Sequence, residues 1–223
     1  MPAMTFRGWP AEAITFYAEL ETDNTKAFWD ARRSVYDTAV KTPFLALSDA
    51  VEEEFGPLHL FRPHRDVRFS KDKSPYKTAA GAVAEGEGGT RFYVQIGSDG
   101  LYVGAGYYHL LPDQLDRWRA AIDDEASGPA LEAAVAEVRS AGLEVGSRES
   151  LVRAPRGYPK DHSRIELLRM KGCHAGRSFP PRRWLSSAAA LDRIVATWRE
   201  AEPLTRLLDL HIGPSHLPPD EAR

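Results

Sequence analysis

Cysteine is almost missing from this chain. Cys173 is the only one in 223 residues, which excludes an internal disulfide framework and a cysteine-rich structural zinc site and suits a reducing cytosol. Long apolar runs are missing too: no stretch approaches the roughly 18 to 20 residues a membrane span needs, and the opening MPAMTFRGWP lacks the apolar core of a signal peptide. The expectation is a cytoplasmic chain with no membrane partner. An excess of either charge is also lacking. Lys and Arg number 29 against 32 Asp and Glu, a formal charge of -3, which excludes both a bulk-basic coat for nucleic acid and an acidic disordered chain. The glycines between Gly81 and Gly89 are not followed by G-K-[ST], so a P-loop nucleotide site is excluded, and no His, Cys or Asp cluster has metal-ligand spacing. The sequence names no cofactor and no metal.

What is present is enough apolar residue, 43% of the chain, for one large domain. Pro10 opens a helix carrying Ile14, Phe16, Tyr17 and Leu20. Asp23, Asn24 or Thr25 caps the next, with Phe28, Trp29, Tyr36 and Val40 at helical spacing. Thr42-Pro43 reads as a fresh N-cap and first helical residue, leading to Phe44, Leu47, Val51 and Phe55. From Leu58 to Phe69 the period shifts toward two, a strand interrupted near Pro63. Residues 80–90 read as a mobile small-residue loop, and residues 91–108 as a hairpin turning at Ser98-Asp99-Gly100. Helices follow from Pro112, from a cap at Ser127, from a cap at Asp161, and from Ser186 or Ser187 to a break at Pro203. Helices, a central antiparallel sheet, then helices again define an α+β fold in a single domain over residues 1–214, with the Pro-rich stretch 215–223 expected to be a disordered tail.

The charge is segregated. Residues 62–77, R-P-H-R-D-V-R-F-S-K-D-K-S-P-Y-K, carry a net +4, as do residues 153–171, which leaves -11 on the other 188 residues. Crowded like charges destabilise a fold unless something negative joins them. That points to a focused anion site holding an anionic small molecule or nucleotide, with Arg65, Arg68, Lys71, Lys73, Lys77, Arg153 and Arg156 as its anion-binding residues. Ser70 and Ser74 add hydroxyl donors, and strand alternation would place Asp66 and Arg68 on one face as a preorganised pair. For proton transfer the candidates are His64 and Asp66, or Asp161 and His162, with Tyr76 or Tyr158 as an oxyanion donor; His64, Asp66 and Tyr76 form the catalytic set.

Three readings follow. The first is an enzyme acting on a phosphorylated or acidic small molecule, in a pocket where both basic segments converge. The second is a nucleotide or nucleic-acid binding module without chemistry, in which Tyr76, Tyr93, Tyr102, Tyr107, Tyr108 and Tyr158 stack on bases; the acidic total disfavours it. In the third, Arg–carboxylate pairs stabilise the fold and take no ligand.

The run Arg65-Asp66-Val67-Arg68-Phe69-Ser70-Lys71-Asp72-Lys73-Ser74-Pro75-Tyr76-Lys77 resembles the hallmark of a widespread family of conserved hypothetical proteins of about this length, classed as a domain of unknown function. Phe16-Tyr17-x-x-Leu20, Asn24-x-Lys26-x-Phe28-Trp29, the hairpin through Gly104 to Tyr108 and Arg153-x-Pro155-Arg156-Gly157-Tyr158 share the likeness, which extends from about Phe16 to Leu208. One departure is Asp23, where the family pattern has asparagine. The resemblance implies no activity, substrate or catalytic residue.

Overall fold

The computed structural model describes residues 5–68 and 71–218. Along the chain run α1 (Ala11–Thr22), α2 (Lys26–Val35), a π-helical segment (Tyr36–Lys41), α3 (Thr42–Phe55), β1 (His59–Leu60), β2 (Ala79–Glu85), β3 (Arg91–Gly97) and β4 (Gly100–Tyr107). After them come α4 (Pro112–Asp123), α5 (Ser127–Ser140), β5 (Glu144–Gly146), α6 (Ile165–Arg169), β6 (Cys173–Phe179), α7 (Ala189–Glu200) and α8 (Glu202–His211). The strands form a six-stranded antiparallel sheet in the order β1-β2-β3-β4-β6-β5, so the fold is α+β as the sequence predicts. Two compact units are distinguished: Met1–Glu85, Tyr93–Val103 and Ser178–Ala196 make the first, and Gly86–Phe92, Gly104–Arg177 and Thr197–Arg223 the second.

In the first unit the sheet residues alternate cleanly. Ala80, Ala82, Ala84, Val94, Ile96, Leu101 and Val103 are buried, while Tyr93, Gln95 and Tyr102, pointing the other way, are half-buried. The stretch read as a mobile loop from Ala80 is therefore corrected: it is strand β2 and a short turn, closed by Gly86 N–H donating to the Thr90 carbonyl at 2.8 Å. Small residues hid the strand because they leave room for a neighbour. A Cβ on Gly81 would stand 2.4 Å from the Tyr93 hydroxyl. The strand expected from Leu58 to Phe69 shrinks to His59–Leu60 plus an isolated bridge between His64 and Tyr76, since Pro63 has no N–H to continue a ladder.

Thr25 caps α2 through its hydroxyl, which accepts from Phe28 N–H at 3.2 Å. The expected new start at Thr42-Pro43 is not there: α2, the π segment and α3 follow without a break. Pro43 cannot donate to the turn behind it. The chain widens instead, and both Thr42 N–H and its hydroxyl, the latter at 2.9 Å, donate to the carbonyl of Asp37 five residues back. Single π turns of this kind concentrate at functional sites.

The second unit is built on apolar stripes at helical spacing: Trp118 and Ile122 of α4, Leu131, Val135 and Val138 of α5, and Leu204 and Leu208 of α8 are buried. Its two buried indoles are satisfied, Trp118 Nε1 donating to Leu167 O and Trp198 Nε1 to Gly104 O, each at 3.1 Å. Two caps differ from expectation. Asp124, not Ser127, receives the N–H groups of Ala126 and Ser127, at 2.9 and 2.8 Å. Asp161 caps nothing at α6, whose start is held by His162, its Nδ1 accepting Arg164 N–H at 2.9 Å and its carbonyl Ile165 N–H at 3.0 Å. Of the stretch from Ser215, Ser215 Oγ and His216 N–H donate to Asp113 at 2.7 and 2.8 Å; residues 219–223 lie outside the described residues.

Candidate functional site

The basic segment of the first unit is a loop folded back on itself. Besides the His64–Tyr76 bridge, Arg65 N–H donates to Pro75 O at 2.9 Å and Lys77 N–H to Pro63 O at 2.8 Å. Asn24 fastens this loop to the start of α2 with both halves of its amide: Nδ2 donates to Tyr76 O at 3.0 Å, and Oδ1 accepts Tyr76 N–H at 3.1 Å. The Tyr76 ring then lies flat on Trp29, centroids 4.3 Å apart and planes 9° apart. His64 is exposed, its ring 5.1 Å from Tyr76 and 6.2 Å from Trp29.

Within the loop the expected anion binders divide. Arg65 pairs with Asp72. Arg68 grips Asp66 with two nitrogens, Nε at 2.9 Å and Nη2 at 2.6 Å, so the Asp66–Arg68 pair exists, in a loop rather than on a strand. Lys73 Nζ donates to Val67 O at 2.9 Å. Hydrogen bonds from the Arg68 side chain and backbone hold the Asp66 carboxyl down at about 2. Those from the Ser74 hydroxyl and backbone, and then from Arg65, hold Asp72 at about 2. A carboxylate so strongly stabilised is poorly matched to proton transfer near neutrality. Lys77 is half-buried with Nζ 5.3 Å over the Phe61 ring; burial, then the neighbouring Arg62 charge, lowers its ammonium pKa. Lys71 is exposed. Phe69 and Ser70 lie outside the described residues.

Between this loop and α2 with its π segment opens a cleft of about 510 Å³. Trp29, Tyr36, Tyr76 and His64 line it, and four cations stand around it: Lys26, Arg33, Lys41 and Arg62. Lys26 is paired with Asp30, and Arg33 lies 3.8 Å from Asp37; among the described residues no ion pair engages Lys41 or Arg62. Sequence reasoning missed Lys41 because its place in the cleft depends on the π turn. Arg62 stood in the basic run with nothing to distinguish it from its neighbours.

The second basic segment belongs to the second unit. Arg153 and Arg156 are exposed, and no ion pair engages either among the described residues. Tyr158 N–H donates to Pro155 O at 3.2 Å, and Gly157 has φ +92°, so Pro155-Arg156-Gly157-Tyr158 is a tight turn whose third position favours glycine. Lys160 is likewise exposed, while the remaining three cations are engaged: Arg164 Nε with Ile122 O at 2.6 Å, Arg169 with Glu166 at 2.8 Å and Lys171 with Glu149 at 3.4 Å. His162 Nε2 lies 3.1 Å from Asp123, and with Nδ1 already accepting, Nε2 is the donor. Cys173 is fully buried, which pushes its thiol pKa up to about 12 and makes it a structural side chain rather than a nucleophile. Among the described residues no group of three His, Cys, Asp or Glu could hold a metal ion, and no helix is long and apolar enough to cross a membrane.

Fold and cleft together define an α+β protein with an open, aromatic-floored, cation-rimmed depression. The chain belongs to the conserved hypothetical protein family DUF2461, the match covering residues 12–206. Neither a curated protein nor a solved structure matches it.

Proposed function

We propose that the cleft of the first unit binds a small organic anion, phosphorylated or carboxylated, with Lys41 and Arg62 as the charged contacts and His64 as the group that exchanges a proton with it. The observation that carries this reading is the pairing pattern. The arginines of the basic loop are engaged by its own carboxylates, whereas Lys41 and Arg62 stand at the cleft with no ion pair among the described residues, Arg62 adding only a weaker attraction to the already paired Asp66. Arg65, Arg68 and Lys73 then shape the loop, which accounts for the run from Arg65 to Lys77 as a family signature, and Tyr76 serves as floor rather than acid. Histidine is the side chain whose ordinary pKa suits proton transfer near neutrality. A cytoplasmic location fits a lone, buried thiol.

The test is calorimetric titration of the full chain with inorganic phosphate, pyrophosphate, a nucleoside monophosphate and a tricarboxylate. Charge-assisted hydrogen bonds contribute about 1.5–3 kcal/mol each, so K41Q and R62Q should each weaken the tightest of these at least tenfold. An affinity unchanged in the double variant would overturn the reading.

A further inference from the structure

The half-exposed face of the sheet in the first unit borders this cleft at Phe61 and Arg62, which line both, and extends beyond it to Tyr93 and Tyr102, which do not line the cleft. It carries Phe61, Tyr93 and Tyr102 as a continuous row of rings: Phe61 and Tyr93 have centroids 6.3 Å apart at 32°, and Tyr93 and Tyr102 6.1 Å apart at 52°. The row crosses β2 at Gly81. Phe61 N–H donates to Gly81 O, and with no side chain at Gly81 the Tyr93 ring settles over the strand, where a Cβ would meet its Cε2 and Cζ at 2.9 Å. Gln95 Oε1 accepts the Tyr93 hydroxyl at 2.7 Å and fixes the ring's tilt. Phe61 is 37% exposed, and Tyr93 and Tyr102 are half-buried. Positive charge stands at one end: Lys77 Nζ lies over Phe61 and Arg62 follows it in the chain. The acid at the other end of β2 is Glu85.

We propose that this face binds single-stranded nucleic acid, bases stacking on Phe61, Tyr93 and Tyr102 while Lys77 and Arg62 take an adjoining phosphate. Each base offers a flat π face and each linkage a negative charge, and the row supplies both complements in one line; a small anion would need the cations but not three rings. Sheet faces bearing two or three such aromatics are a recurrent platform for unstacked bases. The acidic total of the chain, -3, sets the strength: stacking dominates, and the dependence on salt is shallow.

Fluorescence anisotropy of labelled eight-residue oligo(dT) and oligo(U) with the full chain tests this. Phe61→Ala removes an exposed ring without opening the core and should weaken binding about tenfold, within the range for one lost stacking contact. K77Q should weaken binding and flatten the salt dependence. K41Q, which disables the cleft, should leave it unchanged, so that failure of one site is told apart from failure of the other. The proposal is overturned if the wild-type chain shows no binding beyond about 0.1 mM, the weak end of ordinary non-specific affinity. It is equally overturned if an abasic oligomer of the same charge binds as well, if F61A binds like wild type, or if K41Q is as damaging as F61A.

Discussion

Asn24 is the residue on which the cleft depends most. Its amide makes two hydrogen bonds to one backbone residue, Tyr76, 52 positions away, so α2 and the basic loop are fastened at a single side chain. Removing it strands a donor and an acceptor on a part-buried peptide unit, and each such loss costs about 1–3 kcal/mol. Asn24→Ala should therefore lower stability by roughly 2–4 kcal/mol in urea titration, and Asn24→Asp, which keeps the acceptor, should lose less. Equal losses would mean that only the donor half matters. Asp66 and Asp72 supply a second measurable quantity. Both are held at about 2 in the folded chain, below the unfolded carboxyl value near 4. A depressed carboxyl favours the folded state above its unfolded pKa, and that contribution disappears as pH falls through the folded value. The loop should keep its native chemical shifts at pH 4 and lose them toward pH 2. Carboxyl NMR midpoints near 4 for both would refute the pairing.

At the level of elements, the parts legible in the sequence were those written in large apolar residues at a steady period. The hairpin of β3 and β4, the helix opening at Pro112 with Trp118 and Ile122 buried, and the helix break beside Pro203, between α7 and α8, all appear where the sequence places them. Strands β2 and β6 were hidden because Ala, Gly and Cys fill their inward positions, so there is little contrast to alternate. The π segment was illegible for a different reason. Thr42-Pro43 is an ordinary start signal, and only the geometry of the preceding turn turns it into a continuation. Lys41 was lost with it, and with Lys41 half of the charge proposed for the cleft. Gly81 shows how much depends on an absent side chain. In Gly81→Ala the new Cβ falls 2.4 Å from the Tyr93 hydroxyl and 2.9 Å from its ring, so the ring must swing off the sheet. We expect a folded variant destabilised by about 1–3 kcal/mol, the usual cost of overpacking, with its tyrosine environment changed in near-ultraviolet circular dichroism. A wild-type spectrum would show that Tyr93 does not lie over β2.

For the molecule as a whole, the nearly balanced charge that excluded a bulk polyanion binder resolves into two basic segments, each partly satisfied within its own unit, by Asp66 and Asp72 in one and by Glu149 and Glu166 in the other. Those pairs are largely exposed, and exposed pairs contribute little to stability. Stability must come from burial instead, and Cys173 reports on it directly. Its thiol is completely enclosed, which raises its pKa to about 12 from about 8.5 in an unfolded chain. A raised acid stays protonated in the folded state while the unfolded chain releases its proton. Its contribution is fully present below about pH 8.5 and is lost as pH climbs toward the folded value. Stability should therefore fall by up to ~1.4 kcal/mol per pH unit across that window. Cys173→Ala, which keeps a small apolar group in the same space, should remove that portion of the alkaline slope, leaving the share due to Tyr17 and Tyr36, whose hydroxyl pKa values are also raised chiefly by burial. In parallel, a thiol reagent at pH 8 should react with the native chain only at the rate of its opening, and at once in denaturing urea. Immediate reaction without urea, or an alkaline slope identical in wild type and Cys173→Ala, would place the thiol at the surface and undo the packing described for β6.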